Sequence, residues 1–178
     1  WMVATEAGVA GKTEYIIKAD ATKIPAESGD ATIDVLNGEE SIASFKVSIT
    51  GANDFAPQIG LISEAEYAYD GEAVNGGVFG TLTAGNFVKV VCDATGAVAE
   101  WLTVTETAEG DAAIKTYEVS ATATANEGTE NRIAYVFYFA ANAAPAADAV
   151  LFDAEGNVKE EYSESLASVV TQYTEPAT

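Results

Sequence analysis

The chain has 178 residues, 48% apolar and 20% charged, with a mean hydropathy of +0.09; that is enough apolar material for a packed core and excludes wholesale disorder. Twenty-eight acidic against eight basic residues give a formal charge of −20, which excludes nucleic acid and anionic membrane surfaces as partners, because both are held by clustered Lys and Arg. No apolar run approaches the roughly 20 residues that span a bilayer, so direct membrane insertion by this segment is not expected.

Taken in chain order, the pattern is that of strands. Tyr15–Ala19 and Ala31–Leu36 are the first strong candidates, and Asn37-Gly38 behind them is a hairpin signal. In Ile42–Ile49, Phe45, Val47 and Ile49 alternate with Ser44, Lys46 and Ser48, so one face is apolar and the other polar. Ser63-Glu-Ala-Glu-Tyr67 reads as a turn. Val78–Thr83, Phe87–Cys92 and Trp101–Thr105 follow as strands, and from Tyr117 to Thr124 apolar and polar residues alternate. Ile133–Phe139 is β-branched or aromatic at every position but Ala134, as a strand buried on both faces requires. Ala140–Ala149 holds seven alanines, but Pro145 interrupts it, which predicts a loop or one helical turn. Val150–Asp153 and Ser168–Tyr173 complete the set. Ser28-Gly-Asp30, Asn75-Gly-Gly77 and Asn126-Glu-Gly128 separate the runs as turn chemistry does. Many short strands at this spacing predict an all-β sandwich.

The order of features recurs. Trp1-Met-Val-Ala-Thr-Glu6 matches Trp101-Leu-Thr-Val-Thr-Glu106, and Lys12-Thr13 with Tyr15 matches Lys115-Thr116 with Tyr117. Ala52-Asn53 with Pro57 matches Ala141-Asn142 with Pro145. The expectation is two tandem immunoglobulin-like β-sandwich domains, 1–84 and 85–178, meeting at a restricted hinge at Ala84-Gly-Asn86. Phe87–Cys92 precedes the second Trp, but no such strand precedes Trp1. The first domain is therefore expected to lack its first strand or to borrow an edge, in a chain that is a piece of a longer protein.

The second half, about 85–174, resembles the BACON domain family, small immunoglobulin-like sandwiches of Bacteroidetes surface and secreted proteins. The residues that carry this are Trp101-Leu-Thr-Val104, Tyr117-Glu-Val119 with Asn126, Arg132-Ile-Ala134 and Val169-Val-Thr-Gln172. Two features depart from the family pattern: about 30 residues separate the Arg132 strand from the closing strand, and the first half has no counterpart of Arg132. A related family of gut Bacteroidetes surface proteins is an equal match. The resemblance implies an extracytoplasmic location, at the cell surface or secreted, and glycan contact, adhesion or spacing within a larger surface protein. It carries over no catalytic residue.

The residues themselves narrow the chemistry. Without histidine, Ser-His and Cys-His relays and His-ligated zinc are excluded. Cys92, alone in an apolar run, reads as a buried small hydrophobe. Asp153-Ala-Glu155-Gly156-Asn157 is the nearest approach to a calcium loop and reads instead as a hairpin turn. No metal or cofactor is expected. Trp1, Trp101, Tyr15 and Tyr117 are expected as core or core-edge plugs. Tyr67 and Tyr69, two apart, would share one face of a strand, with Glu66 and Asp70 beside them to bond sugar hydroxyls; this is the predicted ligand site. The leading function is a non-catalytic extracytoplasmic module for glycan contact, adhesion or spacing within a larger surface protein, with a glycan or another surface protein as its partner. The alternatives are an assembly domain without sugar affinity and, remotely, a two-carboxylate glycoside hydrolase.

Overall fold

The computed structural model describes residues 2–6, 15–75 and 79–176; Trp1 and the side chain of Tyr15 lie outside the described residues. The chain is all-β. Residues 58–172 form a sandwich of two sheets. One sheet has the order β10 (Leu102–Thr107), β11 (Lys115–Ala123), β8 (Gly80–Ala84), β5 (Gln58–Leu61). The other runs β7 (Ala73–Asn75), β6 (Glu64–Tyr67), β13 (Leu166–Gln172), β12 (Arg132–Ala140), β9 (Phe87–Cys92). All pairings are antiparallel except β6 with β13, which is parallel. Ahead of the sandwich stand two separate two-stranded ribbons, β1 (Met2–Glu6) with β2 (Tyr15–Ala19) and β3 (Gly29–Asn37) with β4 (Glu40–Ile49).

The alternation seen in the sequence explains the core. Leu82, Leu102, Val104 and Val119 of the first sheet meet Ala65, Tyr67, Ala134, Val136, Tyr138 and Val170 of the second, all buried. Trp101 and Tyr117 pack half-buried at the margin, and Phe87 sets its ring edge-on to Tyr117 at 5.3 Å. β12 is buried on its other face too. There Phe137 and Phe139 join Cys92, Leu151 and Phe152 in a second cluster, with Tyr162 against it. The long connection after β12 is therefore a cover for the outer face of the sheet: Phe152 packs edge-on against Tyr135 at 4.8 Å and Tyr162 against Phe139 at 6.1 Å.

Three expectations are corrected. The sheets do not part at 84/85: β8 pairs with β11, and β6 with β13, so residues from both sides of that boundary build one sandwich. Ala84-Gly-Asn86 is the tight turn from β8 to β9 across the two sheets, not a hinge between domains. Ser63–Tyr67 is not a turn but contains β6, whose outward Glu64 and Glu66 hid an inward Ala65 and Tyr67.

Ala52-Asn53 and Ala141-Asn142, which read as equivalent positions of two copies, are bonded to each other. The Asn142 amide N–H donates to the Asn53 carbonyl at 3.0 Å, and the Asn86 N–H to the Ala52 carbonyl at 2.9 Å. The Asn142 side chain donates to Glu27 and to Asp54, each at 2.9 Å. These bonds clamp the base of the β3–β4 hairpin to one end of the sandwich. The approach is close: a Cβ on Gly85 would lie 2.3 Å from the Ala52 carbonyl oxygen, and one on Gly51 would lie 2.2 Å from the Glu27 carbonyl carbon. Only glycine fits at either place.

Candidate functional site

The expected sugar platform does not form. Tyr67 is 1% exposed and points into the core from β6, where its hydroxyl donates to the Ala121 carbonyl at 3.0 Å. Burial pushes that phenol up from its ordinary value. Tyr69 lies past the end of the strand, in a turn, so the two-residue period that would align it with Tyr67 has ended; it stays exposed. Glu66 is engaged by the Tyr173 hydroxyl at 2.6 Å, and Asp70 closes its own turn by accepting from the Glu72 N–H at 3.1 Å.

Four of the residues that carried the family resemblance, Trp101, Asn126, Arg132 and Gln172, converge on one knot. The Arg132 guanidinium lies 4.8 Å from the Trp101 ring centroid, and its Nε donates to the Gln172 side-chain oxygen at 2.8 Å. Its Nη2 donates to the carbonyls of Thr124 at 2.7 Å and Ala125 at 2.9 Å. Gln172, fully buried, donates to the Ala68 carbonyl at 3.0 Å and the Thr124 carbonyl at 2.8 Å. Asn126 ties Glu130 and Tyr173 in the same way, through their carbonyls. Each polar group answers a backbone group that strand pairing leaves over, so the knot is structural.

A second polar cluster joins the two sheets. Glu106 of β10 receives the hydroxyl of buried Tyr138 from β12, and Lys89 of β9 lies 3.0 Å from the same carboxylate. Lys89 also donates to the Val104 carbonyl. Burial first, then Glu106, pushes the Tyr138 phenol far up, so it holds its proton. Burial likewise pushes the Cys92 thiol up to about 11, with Asp93 adding to it, which makes it inert as a nucleophile at neutral pH.

Carboxylates are brought together chiefly at the hairpin base. Asn142 binds both Glu27 and Asp54, and Ser28 donates to Asp54 at 2.6 Å. The bonds from Ser28 and Asn142 hold the Asp54 carboxyl below its usual range. A general acid needs the opposite shift. Asp153 is held low too, chiefly by the Asn157 N–H; it serves the turn the sequence indicated, with Gly156 at φ +85. Asp93 does the same for Thr95 and Ala97, so Asp-Ala-x-Gly-x-Val forms one hairpin turn twice. Among the described residues no group of three or more Cys, Asp or Glu is placed to hold a metal.

What the fold does present is the β3–β4 hairpin. Its register sets Ala31 opposite Val47, Ile33 opposite Phe45 and Val35 opposite Ala43, which puts these six on one face. The other face carries Asp30, Thr32, Asp34, Ser44, Lys46 and Ser48. On the apolar face Phe45 is 54% exposed and Val35 is exposed too, while Ala31, Ile33, Ala43 and Val47 are half-buried; exposed Leu36 falls on the opposite face and exposed Ile42 stands at the register shift. An open depression of about 500 Å³ lies beside the hairpin base, lined by Ser28, Gly29, Asp30, Ser48, Ile49 and Thr50. Asp30 there is already held by Lys46 at 2.7 Å and Ser48 at 2.6 Å. The alternation from Phe45 to Ile49 was visible in the sequence; that its outer half, at Val35 and Phe45, stays exposed among the described residues was not.

No protein-family model matches the chain, and neither a curated protein nor a solved structure is significantly similar to it.

Proposed function

We propose that this chain is a non-catalytic assembly module: an immunoglobulin-like sandwich that holds out a hairpin for another protein. Its place is at the cell surface or in secreted material, the location the BACON resemblance implies. The strand order supports the immunoglobulin-like reading. β5-β8-β11-β10 follows the A-B-E-D order of such a sandwich and β13-β12-β9 the G-F-C order. The resemblance draws support from the knot of Trp101, Asn126, Arg132 and Gln172, which gives its motif residues one shared structural task.

The observation that carries the assembly reading is the apolar face of β3–β4, exposed at Val35 and Phe45, projecting from a base fixed by Asn53, Asn86 and Asn142. Exposed contiguous apolar surface beside polar rims marks interaction sites. A fixed base lowers the ordering cost of engaging one. Glycan contact loses its platform with Tyr67 in the core. The test is site-specific photo-cross-linking in cells that express the protein. A cross-linker at Phe45 on the apolar face yields a discrete protein adduct, and one at Lys46 on the polar face does not. A glycan-array signal lost in Tyr69→Ala, with no adduct from Phe45, overturns the proposal.

A further inference from the structure

The two sheet pairs that follow an antiparallel ribbon in this chain end differently. β12–β13 comes after β10–β11, and β12 takes β9 antiparallel on its outer edge while β13 takes β6 in parallel. β3–β4 comes after β1–β2, and among the described residues the sheet it forms has two strands. Its outer edges carry rows of N–H and C=O groups that can template a further strand. A lone two-stranded ribbon is marginal in water and gains most from a third strand.

The two edges are not equal. The register steps from Val35 opposite Ala43 to Leu36 opposite Ser41, which leaves Ile42 without an opposite number. Ile42 is a bulge in β4, and bulges spoil an edge for pairing. β3 runs unbroken through nine residues from Gly29 to Asn37. The receptive edge is β3, the strand that stands to β4 as β12 stands to β13.

Size decides against a second copy of this chain laid face to face. Nine residues at about 3.3 Å by two strands at about 4.8 Å give a face of roughly 300 Å². Two such faces bury about 600 Å², half the lower bound of roughly 1,200 Å² for a stable protein pair. A strand added along β3 brings main-chain hydrogen bonds as well as apolar burial. Charge selects among strands. Lys46 answers Asp30, whereas Asp34, opposite Ser44, is in none of the ion pairs among the described residues, and Glu39 and Glu40 add negative charge at the tip.

We propose that the β3 edge receives an extended strand of another polypeptide, antiparallel to β3. Its apolar residues extend the face of Ile33 and Val35, and a Lys or Arg on its polar face lies beside Asp34. This rests on the assembly reading and names the partner's chemistry. The probe is a capped peptide of alternating Lys, Val and Thr (Lys-Val-Thr-Val-Lys-Val-Thr-Val), added to the intact chain and followed by amide hydrogen exchange and two-dimensional NMR.

Alternate amides of Gly29–Asn37 exchange at least tenfold more slowly with the peptide bound, while those of β4 facing away from β3 keep their rates. Asp34→Lys weakens binding roughly two- to fivefold, the size of a cross-strand charge pair. Phe45→Ser weakens it about tenfold with an unchanged melting temperature, since Phe45 is exposed. If Phe45→Ser weakens binding but no β3 amide gains protection, strand addition fails and the assembly reading stands. If the peptide binds indifferently to both substitutions, or not at all, both fail. Protection on β4 in place of β3, or concentration-dependent dimers through the hairpin without peptide, overturns the proposal.

Discussion

β12–β13 and β3–β4 are the same kind of object, two long antiparallel strands with an apolar face, and they meet opposite fates. In β12 Phe137 is 0% exposed; in β4 Phe45 is 54% exposed. Alternation decides which face a side chain takes. What covers the face is decided by partners: for β12, a facing sheet on one side and the Leu151–Tyr162 segment on the other. The comparison teaches that a strand pattern states a demand for burial, and only the rest of the chain, or another chain, meets it.

Substitutions that probe each member give the largest expected effects. Phe137→Ala should cost about 3–5 kcal/mol, the range for emptying a core aromatic site. Phe45→Ala should cost less than about 0.5 kcal/mol, as substitutions at exposed positions do. Denaturant melts of the two variants measure both, and similar costs would mean that the hairpin face is packed after all. Gln172→Leu should cost about 1–3 kcal/mol, because it strips buried partners from the Ala68 and Thr124 carbonyls and from Arg132.

Gly85→Ala sharpens the comparison at the junction. Its Cβ meets the Ala52 carbonyl, so the clamp must open, and faster exchange of the Asn86 and Asn142 amides should report it. The pH response of the same junction is smaller. Because the folded pKa of Asp54 is lowered, its contribution is complete above the unfolded value of about 3.9 and is lost as pH falls through the lowered one. The backbone amide signal of Ser28, which donates to Asp54, should therefore shift only below about pH 4; a shift between pH 5 and 7 would contradict the assignment. Least of all should change at Cys92, where a thiol reagent at pH 8 should leave the folded chain unlabelled, since its thiol titrates near 11.

Much of this was legible beforehand. Tyr15–Ala19 and Phe87–Cys92 coincide with β2 and β9, Asn37-Gly38 lies at the turn between β3 and β4, and Ile133–Phe139 is buried on both faces through most of its length. The strands from 58 to 75 were not legible. β5 has only four residues, and β6 carries two glutamates among its four, so neither shows a period long enough to read. Tyr67 failed as a sugar contact for the same reason: a two-residue spacing gives a shared face only while the strand lasts, and β6 ends at Tyr67. The duplication suggested a boundary at 84/85, yet sheet pairing is a long-range property that local likeness does not report. The Ala-Asn pairs at 52–53 and 141–142 read as copies in the sequence; their matched polarity is equally the signal of a contact.

Native-state hydrogen exchange on the free chain tests the central claim most directly, by comparing the amides that pair β12 with β13 and those that pair β3 with β4. On this account the sandwich amides open only with global unfolding, while the hairpin amides beyond Ile33 exchange orders of magnitude faster, because Val35 and Phe45 are exposed there. Equal protection in both pairs would contradict it, since the hairpin would then belong to the same cooperative core and have no open face to offer.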